Sequence, residues 1–330
     1  MERYINSFST ENDIQIALQN GELLKPYVAY IEDADRIDWN SKEIVDYTTE
    51  YLTFNILSAG TINWTANSTA FTKTIDYKVN NGEWVSITSN TSSSAPTITV
   101  NSGDKIQFRG NNAQYGNRHI LDLYSNSFGG SALFEAEGNI MSLIYGDDFK
   151  NNLTISSNYA FYGLFSGCTN LVSAENLVLP ATTLANYCYQ NMFYGCSSLT
   201  TAPALPATTL AQGCYTDMFS YCTNLTTAPE LPATTLVQDC YRFMFSYCTN
   251  LTIAPALPAT TLVQDCYVRM FSKCSKLNYI KCLATEIKSN TTGAWVDGVA
   301  STGTFVKNPN MSGWTTGNSG IPTGWTVQDA

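Results

Sequence analysis

LPATTLVQDCYRFMFSYCTNLTIAP, residues 231–255, is one copy of a unit that this chain of 330 residues writes several times over. Its constant letters are LPATTLxxxCYxxMFxxCxxLxxAPx, and copies follow every 26 residues. Cys188, Cys214, Cys240 and Cys266 hold one register; Cys196, Cys222, Cys248 and Cys274 hold another. Between them come Met192 and Phe193, Met218 and Phe219, Met244 and Phe245, Met270 and Phe271. Pro180, Pro206, Pro232 and Pro258 keep step. One such repeat cannot hide its apolar side chains alone, whereas stacked copies bury them as continuous ladders. These cysteines, methionines and phenylalanines are therefore the expected core of a repeat array.

CYxxMFxxC carries apolar residues at i, i+1, i+4, i+5 and i+8, which predicts a short helix. The following LxxAP reads as a short extended segment ended by proline, which lacks an N–H and fixes φ. The LPATT loop turns the chain back, with threonine hydroxyls for exposed backbone groups. A degenerate copy precedes the regular ones (Phe161, Leu164, Phe165, Cys168, Leu171), with two extra linker residues, and a failing copy follows (Leu277, Ile280, Leu283). Atypical end units are what an open core needs as caps.

Outward from the repeats, residues 46–150 read as all-β. YLTFNIL, TINWTA, KTIDYKV, EWVSIT, PTITV and DKIQFRG are short runs rich in β-branched and aromatic residues, separated by Gly, Asn and Ser. Asn80–Asn81–Gly82 is a strong hairpin turn. A small sandwich or jelly-roll-like domain is expected. Residues 286–330 are rich in Gly, Ser, Thr and Asn but carry Trp295, Trp314 and Trp325, which suits a C-terminal cap. Residues 1–45 form a leading segment. Ser9 or Thr10 caps an expected helix ended near Gly21, Tyr27 to Ile31 alternate like a strand, and Asp38–Trp39–Asn40 reads as a turn. Its apolar and aromatic side chains, Leu24, Pro26, Tyr27, Tyr30 and Trp39, mark an anchor or docking segment. The expected fold class is multi-domain: an all-β sandwich-like N-terminal domain plus an α/β leucine-rich-repeat-type solenoid of 26-residue repeats over 151–285.

Composition narrows the function classes. Charged residues make up 13% of the chain, about half the usual share. The net charge of −10 with no Lys/Arg cluster argues against nucleic acid. No stretch reaches about 18 apolar residues, so no membrane span is expected, and the N-terminus has no apolar core of a signal peptide.

The constellations that carry chemistry are sparse. Ten cysteines admit three readings. Disulfides within a unit need Cys214 to reach Cys222, about 12 Å along a helix, although neighbouring copies sit closer. Zinc is disfavoured by the absence of CxxC and by a single histidine, His119. The third reading is buried, reduced cysteine, acting as a small apolar residue or bonding a nearby carbonyl. His119 lies in GNRHILD, without a nucleophile motif. The paired acids Glu32–Asp33–Asp35–Asp38 and Asp147–Asp148 are the only basis for a glycosidase reading, which needs two carboxylates across a cleft. No cofactor or metal is expected. The position before each second cysteine varies: Gly195, Tyr221, Tyr247, Lys273. With Tyr194, the tyrosines Tyr221 and Tyr247 form a candidate surface row for glycan or protein.

The repeat resembles the BspA-type leucine-rich repeat over about 165–285. FSGCTNL, FYGCSSL and the twice-written FSYCTNL carry that family's aromatic–small–Cys–polar–polar–Leu signature, and GVASTGTFVKNPNMSGWTTGNSGIPTGWTV is similar to the close of such proteins. FSTENDIQIALQNGELLKPYVAYIEDADRIDWNS resembles leading segments of virion proteins from crAss-like phages of gut Bacteroidales, and the YLTF…YKVNNGEW…DKIQFRG module is similar to β-domains found beside such repeats. These resemblances imply a non-enzymatic phage virion protein: a head fibre, decoration or tail appendage, anchored to capsid or tail by its N-terminus. Its repeat module would meet host-surface glycan or protein. Analogy with fibres implies a homo-oligomer, and a trimer in particular. The alternatives are a bacterial cell-surface adhesin of the BspA type and a carbohydrate-active enzyme.

Overall fold

The computed structural model describes residues 46–119, 122–287 and 290–330, together with the backbone of β1 (Ser7–Phe8) and β2 (Tyr30–Ile31), which pair in parallel. Leu24, Pro26, Tyr27, Trp39, the side chain of Tyr30, the helix expected after Ser9 or Thr10 and the acids at 32–38 lie outside the described residues.

From 46 to 150 the chain is β-rich. One sheet runs β7 (Thr97–Val100), β4 (Gly60–Ala66), β10 (Asp122–Gly130), β9 (Gly116–His119). The other runs β11 (Phe134–Asn139), β3 (Leu52–Ile56), β8 (Lys105–Arg109), β5 (Thr74–Val79), β6 (Val85–Thr88). Alternation puts Ile62, Trp64 and Ala66 of β4 inward. The hairpin read at Asn80–Asn81–Gly82 joins β5 to β6, with Asn80 at φ 53° and the Gly82 N–H donating to the Val79 carbonyl at 2.9 Å. Phe54 of one sheet meets Phe128 of the other at 5.0 Å between ring centroids, and Phe108 and Phe134 close around it at 4.6 and 4.2 Å.

The α/β leucine-rich-repeat-type solenoid expected over 151–285 is not what forms. The chain is 27% strand and 7% helix, and among the described residues no helix lies between 152 and 285. CYxxMFxxC is a run of hydrogen-bonded turns. Tyr187 and Asn191, Asp217 and Tyr221, Asp239, Phe243 and Tyr247, and Asp265, Arg269 and Lys273 all take φ between 52° and 66°, with Gly195 and Gly213 completing the pattern at 71° and 60°. A left-handed residue every fourth position breaks any α-helix. The inward pairs fit a period of 4 as well as one of 3.6, and nine residues are too few for the pattern to separate them.

The hydrogen bonds show what replaces the helix. Tyr189 and Phe193 donate their N–H groups to Cys214 and Met218 of the next unit, at 3.0 and 2.9 Å. Met192 and Cys196 donate backward to Tyr189 and Phe193, at 3.2 and 3.1 Å. Alternate N–H groups thus serve the row itself and the neighbouring row. In-register rows stack the rings: Tyr189, Tyr215, Tyr241 and Tyr267 at 5.7, 5.9 and 6.2 Å, and Phe165, Phe193, Phe219, Phe245 and Phe271 at 5.3, 5.3, 5.6 and 5.8 Å. Met192, Met218, Met244 and Met270 fill the space between, fully buried.

Both ends of this core are closed. Phe165 lies against Phe54 and Phe128 at 5.9 and 5.7 Å, so the ladder grows out of the β-rich core. β12 (Leu171–Ser173) and β13 (Leu177–Val178) pair in parallel with β11. At the far end Trp295 covers Tyr267 and Phe271 at 6.1 and 6.2 Å, and its indole N–H donates to the Gly320 carbonyl at 2.8 Å. β14 (Tyr279–Cys282), β15 (Thr304–Lys307) and β16 (Thr326–Asp329) form a parallel sheet beside it.

Two glycines separate backbone strain from packing. Gly167 and Gly213 both have positive φ, 72° and 60°; a Cβ meets nothing within 4 Å at Gly167 but lies 2.4 Å from the Tyr187 ring at Gly213. Gly167→Ala is expected to cost about 1 kcal/mol from backbone strain alone. Gly213→Ala adds displacement of the ring and is expected to cost about 2–3 kcal/mol. Urea denaturation of both variants checks this, and equal losses would contradict the packing of Tyr187 on Gly213.

Candidate functional site

Along each turn run the inward pairs are separated by two residues, and the second of each two, the left-handed one, forms part of an outward grid. Its columns are Tyr187, Gly213, Asp239, Asp265; then Asn191, Asp217, Phe243, Arg269; then Gly195, Tyr221, Tyr247, Lys273. Every one is a left-handed residue. Each donates its N–H to the next row; for Asp217, Phe243 and Arg269 these bonds reach Arg242, Val268 and Gly293 at 2.9 Å each.

Exposure alone does not explain why these positions vary. Thr182–Thr183, Thr208–Thr209, Thr234–Thr235 and Thr260–Thr261 are also exposed, yet identical in all four units. The turn face is exposed at Tyr221, Tyr247, Arg269 and Lys273 and mostly half-buried elsewhere, yet it varies, and it carries tyrosine, phenylalanine and arginine, residue types from which interaction surfaces draw binding energy.

The tyrosine row read from the sequence lies on this face. Tyr194, Tyr221 and Tyr247 are 36%, 40% and 37% exposed, enough to touch a partner without leaving their neighbours. Tyr221 and Tyr247 stack at 4.4 Å and 8°, while Tyr194 tilts against Tyr221 at 5.4 Å and 58°. Lys273 continues the column and pairs with Asp297 at 2.8 Å. In the first column Tyr187 stacks on Tyr159 at 5.1 Å. In the second, the guanidinium groups of Arg242 and Arg269 lie 5.2 and 5.5 Å from the Phe243 ring. The first two columns were missed by sequence reasoning. Their signal was present as the unassigned letters between CY, MF and C, but only a period of 4 points those letters outward.

Asp217 is the unusual acid of the grid. It is half-buried without a salt bridge among the described residues. Burial pushes its carboxyl up to about 6, against the weaker pull of Arg242 and of the Ser220 hydroxyl. Arg242 sits instead beside Asp239 at 3.6 Å.

The repeat cysteines lie on the opposite side of the turns. All ten are free and buried. The thiols of Cys196, Cys222, Cys248 and Cys274 donate to the carbonyls of Phe165, Phe193, Phe219 and Phe245 in the preceding row, at 3.0 to 3.1 Å. Burial pushes Cys168, Cys188, Cys274 and Cys282 up to about 12 and Cys266 to about 11, which holds them as thiols.

Of the acids considered for catalysis, Asp147 and Asp148 line a polar cleft of about 290 Å³ with Asp76, Arg109, Asn111 and Tyr145. Asp147 accepts from the Tyr51 hydroxyl at 2.8 Å and receives Arg109 on both oxygens at 2.8 Å, which holds its carboxyl below the usual range. Arg109 is shared with Asp76 at 3.2 Å and lies over Trp84 at 4.4 Å. A carboxylate so engaged is a poor proton donor, and Asp148 is its sequence neighbour rather than a group across the cleft. The backbone of His119 pairs with Asp122 in β9 and β10; its side chain lies outside the described residues. Among the described residues no three His, Cys, Asp or Glu side chains gather as a metal site, and no helix is long and apolar enough to cross a membrane.

No family model, curated protein or solved structure matches the chain, so the resemblances to BspA-type repeats and to phage virion proteins stand on their motifs alone.

Two outcomes test the electrostatics. A carboxyl raised from 3.8 to about 6 binds more protons folded than unfolded. Its ionisation therefore costs stability in full above pH 6, and the cost vanishes below about pH 4. In dilute protein, as a single copy, Asp217→Asn is expected to stabilise by roughly 1–2 kcal/mol at pH 8 and hardly at all at pH 4; denaturation curves at both pH values read the difference, and equal effects would contradict it. A disulfide-exchange reagent at pH 8 is expected to find no reactive thiol in the native protein and ten per chain in denaturant. Rapid native labelling would contradict the burial.

Proposed function

We propose that the chain is a non-enzymatic structural and binding protein of a phage particle, held by its N-terminal segment and presenting the stacked rows outward. The observation that carries this reading is the turn face: a grid of varied aromatic and charged side chains on a backbone whose inward residues and exposed threonines do not vary. Such a division suits a surface selected for contact rather than for chemistry. The engagement of Asp147 by Tyr51 and Arg109 supports the same side, because the polar cleft it lines has its central acid already committed.

Placement on a particle rests on the likeness of residues 8–41 to phage virion segments. The FSYCTNL signature gives the second reading, a bacterial cell-surface adhesin of the BspA type. Mass spectrometry of purified phage particles separates the two. Peptides from 46–330 are expected in particles, and removing residues 1–45 is expected to abolish incorporation while circular dichroism of the rest stays unchanged. Peptides confined to the bacterial envelope would sink the particle reading, and turnover of a polysaccharide by the pure protein would sink the non-enzymatic one.

A further inference from the structure

We propose that two copies of this chain pair through their turn faces, antiparallel, about Phe243. The proposal rests on the reading of the turn face as a contact surface and names its occupant.

The middle column runs Asp217, Phe243, Arg269 in three consecutive rows: an acid, a ring and a base. Neither charge has an ion-pair partner within the described residues: Asp217 has only the Ser220 hydroxyl and the weaker pull of Arg242, and Arg269 only the Phe243 ring. Among the described residues Asp217 and Arg269 form no salt bridge, and standing two rows apart in one column they do not reach each other. A second copy laid face to face with its rows reversed, and aligned at Phe243, sets Arg269 of each copy against Asp217 of the other. Twofold symmetry makes the contact twice, as an isologous interface requires. Running the rows in the same direction would set Asp217 against Asp217 and Arg269 against Arg269. The order of charges therefore selects the antiparallel arrangement.

Most of the grid fits the same axis, and Asp239, which falls opposite its own counterpart, has its charge paired by Arg242 at 3.6 Å. Phe243, with Arg242 and Arg269 beside its ring, falls at the centre, where interfaces concentrate aromatic and arginine side chains. Tyr247 shares its row and meets its own counterpart. Gly213, without a side chain, falls opposite Asp265 and leaves room for it. An unpaired half-buried Asp217 also gains the counter-ion that it lacks in one copy.

A glycan is the poorer occupant. A sugar ring packs flat on a free aromatic face, and at Tyr221 and Tyr187 both faces are taken. Tyr221 lies between Tyr194 and Tyr247, and Tyr187 lies between Tyr159 and the backbone of Gly213. What the face offers is ring edges, hydroxyls and charges, which suit a second protein surface.

Sedimentation equilibrium of the full chain at pH 8 tests the pairing. Wild type is expected at twice 36.2 kDa. Arg269→Asp and Asp217→Arg each put like charges together and are expected to weaken self-association at least about tenfold. The double exchange Asp217→Arg with Arg269→Asp is expected to restore the dimer. Each exchange places a residue type in a left-handed position where the same column already holds it, and circular dichroism verifies the fold. Should Asp217→Arg not fold, Phe243→Glu sets two carboxylates at the axis and is expected to give monomer. A wild-type monomer, a trimer, a dimer indifferent to Arg269→Asp or Phe243→Glu, or a folded double exchange that stays monomeric would overturn the proposal. Loss of particle incorporation bears only on where the protein resides and leaves this measurement intact.

Discussion

The N–H of each left-handed residue points out of its own turn and into the carbonyl of the next row, and the rest of the repeat region depends on that bond. A left-handed backbone costs an ordinary residue about 1–2 kcal/mol. A row accepts this at Asp239, Phe243 and Tyr247 because alternate N–H groups then find acceptors one row along. Full burial of a phenylalanine or methionine is worth about 1.5–3 kcal/mol, and each row buries both, with a tyrosine and two cysteines besides. A row without a neighbour would keep the backbone cost and lose the acceptors and the burial. The units are therefore stable only together.

The register that this bond imposes explains the interior. Rings of the same type fall above one another within about 6 Å, the separation at which offset stacking is favourable. The cysteines are buried beside the rings. Their thiols also reach the second lone pair of a phenylalanine carbonyl that already accepts a backbone N–H: Phe193 receives the N–H of Cys196 and the thiol of Cys222. Continuity across the junction comes from Phe165, which belongs to the ladder and to the aromatic cluster around Phe54 at once. Closure at the other end comes from Trp295, broad enough to cover two ladders.

The same register orders the outside. Side chains that leave the backbone at fixed points in every row are pre-organised for contact, and the stacked Tyr221 and Tyr247 have little rotamer freedom left to lose on binding. Variation confined to that face alters what it meets without disturbing the ladders behind it.

Much of this was legible in the residues. The 26-residue period, the inward Cys, Met and Phe, the hairpin at Asn80–Gly82 and the β-rich character of 46–150 follow from pattern and composition, because burial and turn chemistry are local or periodic. The surface position of Tyr221 and Tyr247 followed from their variation. The helix assigned to CYxxMFxxC did not form, and with it went the α/β solenoid. Apolar spacing reports which side chains face inward, but not whether an N–H bonds within its own segment or to the next row. Only the packed neighbours decide that, since the acceptor belongs to a residue some 25 positions away. The columns through Asp217, Phe243 and Arg269 were hidden for the same reason: their common face exists only once rows stand in register, and their opposite charges come into one line only there.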